Sequence, residues 1–304
     1  MNIIILDLEW DSAYSVKNQR FINQIIQIGA VKLNDNCEII DTFSVTVKSK
    51  LSKKLTRRFI ELTGITNDMM REGIPLEKAV ENYNSWAGKN TLTMTWSTSD
   101  LYTIIENCKY LLTPSLKFRI EKYADLQSYV QNEMRSIGYD FSSQISLSNA
   151  AAMLGISYDG LELHHAKDDC LLSVALLKKF YNSQKMQSYI KDAANPEFFR
   201  RLTFKSYTLS NIKDDNIKAE NLVFKCDKCG EISKCLTAFK YRNGWFSANF
   251  RCVGCKRTYI GRVSFKKTYD NLIIKKKIVD IKAVEKKNEE AVQGLSEKVQ
   301  RLKK

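Results

Sequence analysis

Histidine is nearly missing from this chain: His164 and His165 are the only two among 304 residues, and they are adjacent. Long apolar runs are missing too. Even runs such as IIIL at 3–6 and AAAML at 150–154 fall far short of the ~20 apolar residues that a bilayer-spanning helix needs. That argues for a soluble protein with no membrane partner. The N-terminus lacks a positive region followed by a hydrophobic stretch and a small-residue cleavage site, so no export signal is expected. No internal repeat is present, and no low-complexity segment precedes the lysine-rich tail. What remains is 44% hydrophobic with a mean hydropathy of -0.33, enough to build one large or two modest globular domains.

Charge is plentiful but uneven. Through Pro196, 22 Lys and Arg balance 22 Asp and Glu; after it stand 26 against 12, completing the chain's 48 and 34. The whole net charge of +14 therefore sits in the last third. A body without net charge and with one task, joined to a basic region drawn to polyanions, is the reading this favours over a merely solvated surface. Of eight cysteines, four have metal-ligand spacing. With no secretory context for disulfides, a reducing, cytoplasmic location is expected.

Hydrophobic patterning places strands before helices. NIIILDLEW is an apolar run ending in acids, as a buried central strand would be. IIQIGAVKL (25–33) and CEIIDTFSVTV (37–47) are β-branched and separated by a turn-like NDN, which predicts antiparallel neighbours. LSKKLTRRFIELTGIT (51–66) predicts a helix stopped at Gly64, with Thr66 capping the next. Further helices are expected at 76–88, after Ser99, and through ADLQSYVQNEMRSIG, SLSNAAAMLG and KDDCLLSVALLKKFYNSQ, with a short strand at 91–96. The fold class is α/β, a mixed sheet flanked by helices.

Three acidic motifs stand out, and each alone has an ordinary explanation. In LDLEW, Asp7 and Glu9 share one face of a strand. Two such carboxylates repel unless a cation lies between them, and hard oxygens suit Mg²⁺ or Mn²⁺; a surface-facing pair is the commoner case. Asp100, in TWSTSD, stands where a strand gives way to a helix, as a dipole-favouring acid would. His164 lies five residues before Asp169, at the start of an amphipathic helix. It could take a proton from water near neutral pH or be structural.

Together, Asp7, Glu9, Asp100, His164 and Asp169 resemble, in order and spacing, the DEDDh group of 3′→5′ exonucleases in the RNase H-like superfamily. The likeness covers roughly residues 1–182 and includes IIQIGAV, LTGIT (62–66) and DLQSYV. It implies two-metal hydrolysis: the four acids hold two Mg²⁺ or Mn²⁺ ions, and His164 is the general base, with His165 its neighbour. Two positions depart from the pattern. Trp10 follows D-x-E where the family has a small or hydroxyl residue, and Ser97 follows Trp96 where it has glycine. Trp10, Thr63 and Trp96 are the expected contacts to the terminal nucleotide. The substrate implied is single-stranded nucleic acid, RNA favoured over DNA because the layout is most similar to the RNA-trimming branch. The alternatives are a DNA exonuclease and a scaffold with a vestigial site.

CDKCGE (226–231) and CVGCKRTY (252–259) form C-x₂-C…C-x₂-C, with 22 residues between Cys229 and Cys252. Cys226, Cys229, Cys252 and Cys255 are thus the expected ligands of one structural Zn²⁺ in a zinc ribbon, with a hairpin turning at Asn243-Gly244. Cys235 is left without a partner. Lys240, Arg242, Trp245, Phe246, Phe250, Arg251, Lys256, Arg257 and Tyr259 mix charge and rings. They would form either a single-strand platform, with Arg242, Trp245 and Arg257 as contacts, or a small core with a solvated surface. Ile274, Ile278, Ile281, Val292, Leu295, Val299 and Leu302 follow a 3-4 spacing, which predicts a basic helical tail that could dock a protein partner or attract phosphate. The organisation expected is an exonuclease domain at 1–190, a linker at 191–220, a zinc ribbon at 221–264 and the tail at 265–304.

Overall fold

The NIIILDLEW run forms a strand that continues well past its acids. β1 spans Asn2–Ser15 and pairs antiparallel with β2, Arg20–Leu33. A bulge interrupts the pairing: Glu9 lies opposite Gln27, but Trp10 lies opposite Ile25. Such an extra residue bends the strand and redirects the side chains beside it. β3, Ile39–Thr46, forms the edge beyond β2, after the NDN turn in which the Asn34 carboxamide accepts from the Asn36 and Glu38 amides. On the other side of β1 lie β4, Thr91–Thr95, β5, Lys122–Asp125, and β6, Lys191–Asp192, giving the order β3-β2-β1-β4-β5-β6. β1, β4 and β5 run parallel and the remaining pairs are antiparallel, so the sheet is mixed. These features come from a computed structural model that describes residues 1–157, 159–161 and 163–281.

The chain divides into two compact units at Arg200 and Arg201. Helices of the first are α1, Arg57–Thr63; α2, Asn67–Glu72; α3, Leu76–Ala87; and α4, Ser99–Tyr110. They continue with α5, Leu126–Ser136; α6, Leu147–Met153; α7, Ala166–Phe180; α8, Ser183–Gln187; and α9, Pro196–Thr203, inside which the division falls. The helix expected from residue 51 begins only at Arg57. Thr56 caps the Phe59 amide, and the Asp11 carboxylate takes both the Thr56 amide and hydroxyl at 2.7 Å, which holds the preceding residues out of the helix. Gly64, at φ 70°, ends it as expected, and Thr66 caps α2.

One face of the sheet (Ile3, Ile5, Val31, Leu92, Met94) packs on Val130 and Met134 of α5 and on Cys170, Val174 and Leu177 of α7. Each fully buried Ile or Leu here contributes about 1.5–3 kcal/mol. The closest approach is at Gly29 of β2, where a Cβ would lie 2.3 Å from the Ala166 carbonyl carbon and 2.4 Å from the Lys167 nitrogen. No side chain fits there. Gly29→Ala should therefore push the start of α7 off the sheet, costing about 3 kcal/mol or more. Chemical denaturation would show the loss; a stability within about 1 kcal/mol of wild type would refute this close approach.

In the second unit, β7 is Tyr207–Thr208, β8 Ser233–Cys235, β9 Lys240–Arg242, β10 Trp245–Cys252, β11 Thr258–Lys267 and β12 Leu272–Val279. The expected hairpin turns at Asn243 and Gly244, both at positive φ (50° and 79°), as a two-residue turn of this hand requires. Phe224, Phe246, Phe250, Tyr259, Val263 and Phe265 form its core. Two expectations need correction. The linker at 191–220 contains β6 of the first sheet and β7 of the second, so the second sheet extends beyond 221–264 on both sides. The tail is not helical over Leu272–Val279, where β12 pairs antiparallel with β11; helix is assigned only at Ile281, the last described residue. Ile274, Lys276 and Ile278 alternate with period two, and the neighbouring strand decides between the two spacings. The part of the tail at 282–304 lies outside the described residues.

Candidate active site and cysteine centre

β1 carries Asp7 and Glu9 on one face, immediately before the bulge. Asp100 opens α4, yet it does more than complement a helix dipole. It is 3% exposed, and it accepts the Leu8 amide at 3.0 Å, fixing β1 between the two other acids. Asp169 lies in the first turn of α7 and accepts the His164 amide at 3.2 Å. The donor atoms of Glu9, His164 and Asp169 lie within 4.8 Å of one another. Asp7, Glu9, Asp100, His164 and Asp169 all line one cavity of about 380 Å³.

These carboxylates raise one another. Burial, then Asp100, Glu9 and Asp169, push Asp7 well above the ordinary range. Burial, then Asp169 and Asp100, push Glu9 up to about 8, and burial leads the rise of Asp100 to about 7. Asp169 is also raised, chiefly by burial, with His164 opposing. Like charges gathered in a poorly solvated place are costly unless a cation neutralises them. A set made only of carboxylate oxygens and one imidazole fits Mg²⁺ or Mn²⁺.

Gln27 separates the two histidines. Its carbonyl oxygen accepts the Ala166 amide at 2.9 Å, which turns its NH₂ group toward the His165 Nε2 at 3.1 Å. His165 Nε2 is then the acceptor, and its buried Nδ1 lies 4.0 Å from Asp168, beyond hydrogen-bond reach. His165 is committed to the helix start. His164 is exposed, at φ 65°, and no hydrogen bond holds its ring among the described residues. Sequence reading did not find Gln27's task. The available signal was one polar residue within the buried IIQIGAV run.

Trp10 and Trp96 stand in the cavity wall, with Phe59, Leu62 and Leu147. Thr63 does not: its hydroxyl donates to the Phe59 carbonyl at 2.9 Å and accepts the Ile65 amide, closing α1, so Leu62 and Phe59 present that helix instead. Ser97 has φ 78°, the region that glycine enters freely and other residues at a cost of about 1–2 kcal/mol. This is the physical reason for glycine in the resembling pattern. Here the Ser97 carbonyl is held by the Thr95 and Tyr123 hydroxyls.

The four cysteines of the second unit converge. Their sulfurs lie within 4.8 Å of one another, Cys226 to Cys255 at 3.7 Å and Cys229 to Cys252 at 3.3 Å. The two loops are built alike. Cys226 donates its amide to Glu231 and Cys252 to Arg257, and each C-x₂-C is followed by a residue at positive φ, Gly230 (77°) and Lys256 (58°). The Lys228 and Cys229 amides lower the Cys226 thiol to about 6, whereas Cys255, despite the Arg257 amide, is raised to about 11 by the neighbouring sulfurs, so the four share their protons unequally. A tetrahedral ion with bonds of about 2.3 Å to sulfur would place the sulfurs about 3.8 Å apart, so this donor set fits Zn²⁺. Cys235 is elsewhere, donating to the Thr237 carbonyl. Phe246, Phe250 and Tyr259 are buried in the core and form no platform. Arg257 is held between Asp227 and Asp280, while Arg242 is exposed beside the half-buried Trp245.

Residues 6–177 match the model of the exonuclease family RNase_T. A probable 3′-5′ exonuclease, KapD of Bacillus subtilis (strain 168), is 29% identical over 187 residues, covering 58% of this chain and 83% of its own. The 3′-5′ exonuclease crn-4 of Caenorhabditis elegans is 24% identical over 193 residues, 59% of this chain but only 63% of its own length. Among solved structures, a 3′-exonuclease studied for 3′-end recognition of a histone mRNA stem-loop shares 21% identity with a TM-score of 0.50, over 63% of this chain and 84% of that one. That likeness bears on the fold, which is the RNase H-like mixed sheet.

Proposed function

The chain belongs to the exonuclease family, and on that footing we propose that it shortens single-stranded nucleic acid from the 3′ end, releasing nucleoside 5′-monophosphates. One observation carries the reading: four carboxylates and the His164 imidazole line one cavity, where burial and then mutual repulsion raise the acids. Asp7, Glu9, Asp100 and Asp169 are the residues to hold two Mg²⁺ or Mn²⁺ ions. Bound there, divalent ions supply positive charge against the phosphodiester oxygens during in-line attack. His164 accepts the proton of the attacking water, and the hydrogen bond from its backbone N–H to the Asp169 carboxylate keeps it beside the acids. Gln27 and His165 hold the start of α7 on β2, so that Asp169 stays beside Glu9. Trp10 and Trp96 offer faces for the terminal base. RNA is the substrate proposed first, supported by the resemblance of LTGIT and the general layout to the RNA-trimming branch. In the second unit, Cys226, Cys229, Cys252 and Cys255 hold one structural Zn²⁺.

The two histidines test the assignment. His164→Ala should slow nucleotide release by about 10²-fold or more, with zinc content and melting temperature unchanged. His165→Ala should cost less in kcat and more in stability. The reverse order would move the base to His165. Running both on matched RNA and DNA strands decides the sugar preference.

A further inference from the structure

The second unit's sheet has a face that its core does not use. Strand register assigns each side chain to one side, because residues directly opposite each other across a pair share a face. Phe246, Phe250, Tyr259, Val263 and Phe265 point to the core. Lys276 joins them, its ammonium over the Phe224 ring at 5.4 Å and donating to the Val223 carbonyl at 2.7 Å. The alternate residues form the other side.

On that side every charged residue is basic. Arg251 lies opposite Lys234 of β8. Across the hairpin, Trp245 lies opposite Arg242 and Ser247 opposite Lys240. Arg262 of β11 lies between Ser247 and Lys277, and Ser264 lies opposite Lys275. β8 to β12 contain no Asp or Glu at all. Of the acids near the sheet, Asp227 and Asp280 are held on Arg257, and Asp270 on Arg201. Among the described residues, none of the basic side chains on this face is in an ion pair, and the buried Arg262 Nε has no hydrogen-bond partner. Lys234, Lys240, Arg242, Arg251, Lys275 and Lys277 are all exposed.

Like charges gathered without counter-charges are costly in the free protein and are relieved by a polyanion. Serines 247 and 264 and Asn249 leave the middle of the face low and polar, and Trp245 supplies a ring beside the cations. Cations that follow a backbone, with a ring for a base, match single-strand recognition. We propose that this open face binds the phosphate backbone of single-stranded nucleic acid. It rests on the function proposed above in that the strand it holds is the exonuclease's substrate.

The test uses the full chain carrying Asp7→Asn, loaded with zinc, and a 5′-labelled oligouridylate whose affinity is measured across a salt series. One variant combines Lys240→Gln, Arg242→Gln, Lys275→Gln and Lys277→Gln. A control removes the same charge elsewhere in the unit, with Lys205→Gln, Lys213→Gln, Lys218→Gln and Lys225→Gln. For a single strand the log–log slope should fall by about 0.7 for each phosphate that is no longer neutralised. The face variant should therefore lose roughly 2–3 units of slope and about 10²-fold in affinity at moderate salt. The control should keep its slope. Melting temperature and zinc content report folding, and the pair Lys275→Gln with Lys277→Gln on the edge strand repeats the test with a milder change. Equal slopes for the face variant and control would overturn the proposal, and so would loss of binding only to phosphatidylserine vesicles. Nucleotide release by the wild-type protein is followed on the same strand. Steep salt-dependent binding without release would defeat the exonuclease reading and leave the face standing; release with unaltered binding by the face variant would defeat the face alone.

Discussion

Asp7→Asn should lower the rate of nucleotide release by about 10³-fold or more, while raising the melting temperature of the metal-free protein. The two effects have one cause. Asp7 is held near Asp100, Glu9 and Asp169 in a poorly solvated place, and all four carboxylates are raised above their ordinary values. Asparagine keeps the shape and removes one charge, relieving the metal-free site but leaving too little charge to hold two cations. The pH dependence follows. Glu9 titrates near 8 and Asp100 near 7 in the folded protein, against ordinary values of 4.5 and 3.8. Between those limits the native state holds more protons than the unfolded state, so metal-free stability falls as pH rises from about 4 to about 8. Mg²⁺ or Mn²⁺ should restore it, raising the melting temperature more at pH 8 than at pH 6. Asp7→Asn should flatten both trends. A variant with activity within tenfold of wild type, or a thermal shift that shrinks toward pH 8, would contradict the metal assignment.

Cys252→Ser should abolish zinc binding and cost the second unit more than about 4 kcal/mol. The Cys252 side chain is fully buried, with its sulfur 3.3 Å from that of Cys229. A hydroxyl in its place does not complete a thiolate tetrahedron, although the Cys255 and Gly254 amides that face the sulfur would remain. For small cysteine sites, metal affinity is folding free energy. Here the aromatic core behind β10 and β11, including the Phe250–Tyr259 stack at 5.9 Å, supplies stability that a bare ribbon lacks. The substitution should therefore open the two C-x₂-C loops first, with the Cys226, Gly230 and Cys252 amides exchanging early and the β11 amides remaining protected. Cys235→Ser is the control, because Cys235 stands outside the cluster. Full zinc retention in Cys252→Ser, or equal zinc depletion in Cys235→Ser, would overturn the assignment.

The parts legible in the sequence are those written in short-range chemistry. D-x-E at the end of an apolar run, a His five residues before an Asp at a helix start, paired C-x₂-C and an Asn-Gly between aromatic-rich runs each name their own geometry. The illegible parts depend on a distant partner. The bulge that separates Glu9 from Trp10 exists only against β2. Residues 51–56 look helical until Asp11, from another strand, takes the Thr56 amide. Thr63 sits in a recognisable segment, but its hydroxyl is needed to close α1, and the cavity receives Leu62 instead. The isoleucines of β12 fit both a helical spacing and an alternating one, and β11 chooses. Gln27 is visible as a polar residue in a buried run, although its task requires knowing that Ala166 crosses above Gly29.

The most direct test incubates the wild-type protein with a 5′-labelled single-stranded RNA and Mg²⁺ or Mn²⁺, and resolves the products by length. A ladder shortening from the 3′ end, with nucleoside 5′-monophosphates released, is the result predicted, and both should vanish with Asp7→Asn. An RNA left intact with either ion, or one whose labelled 5′ nucleotide is released first, would contradict the account.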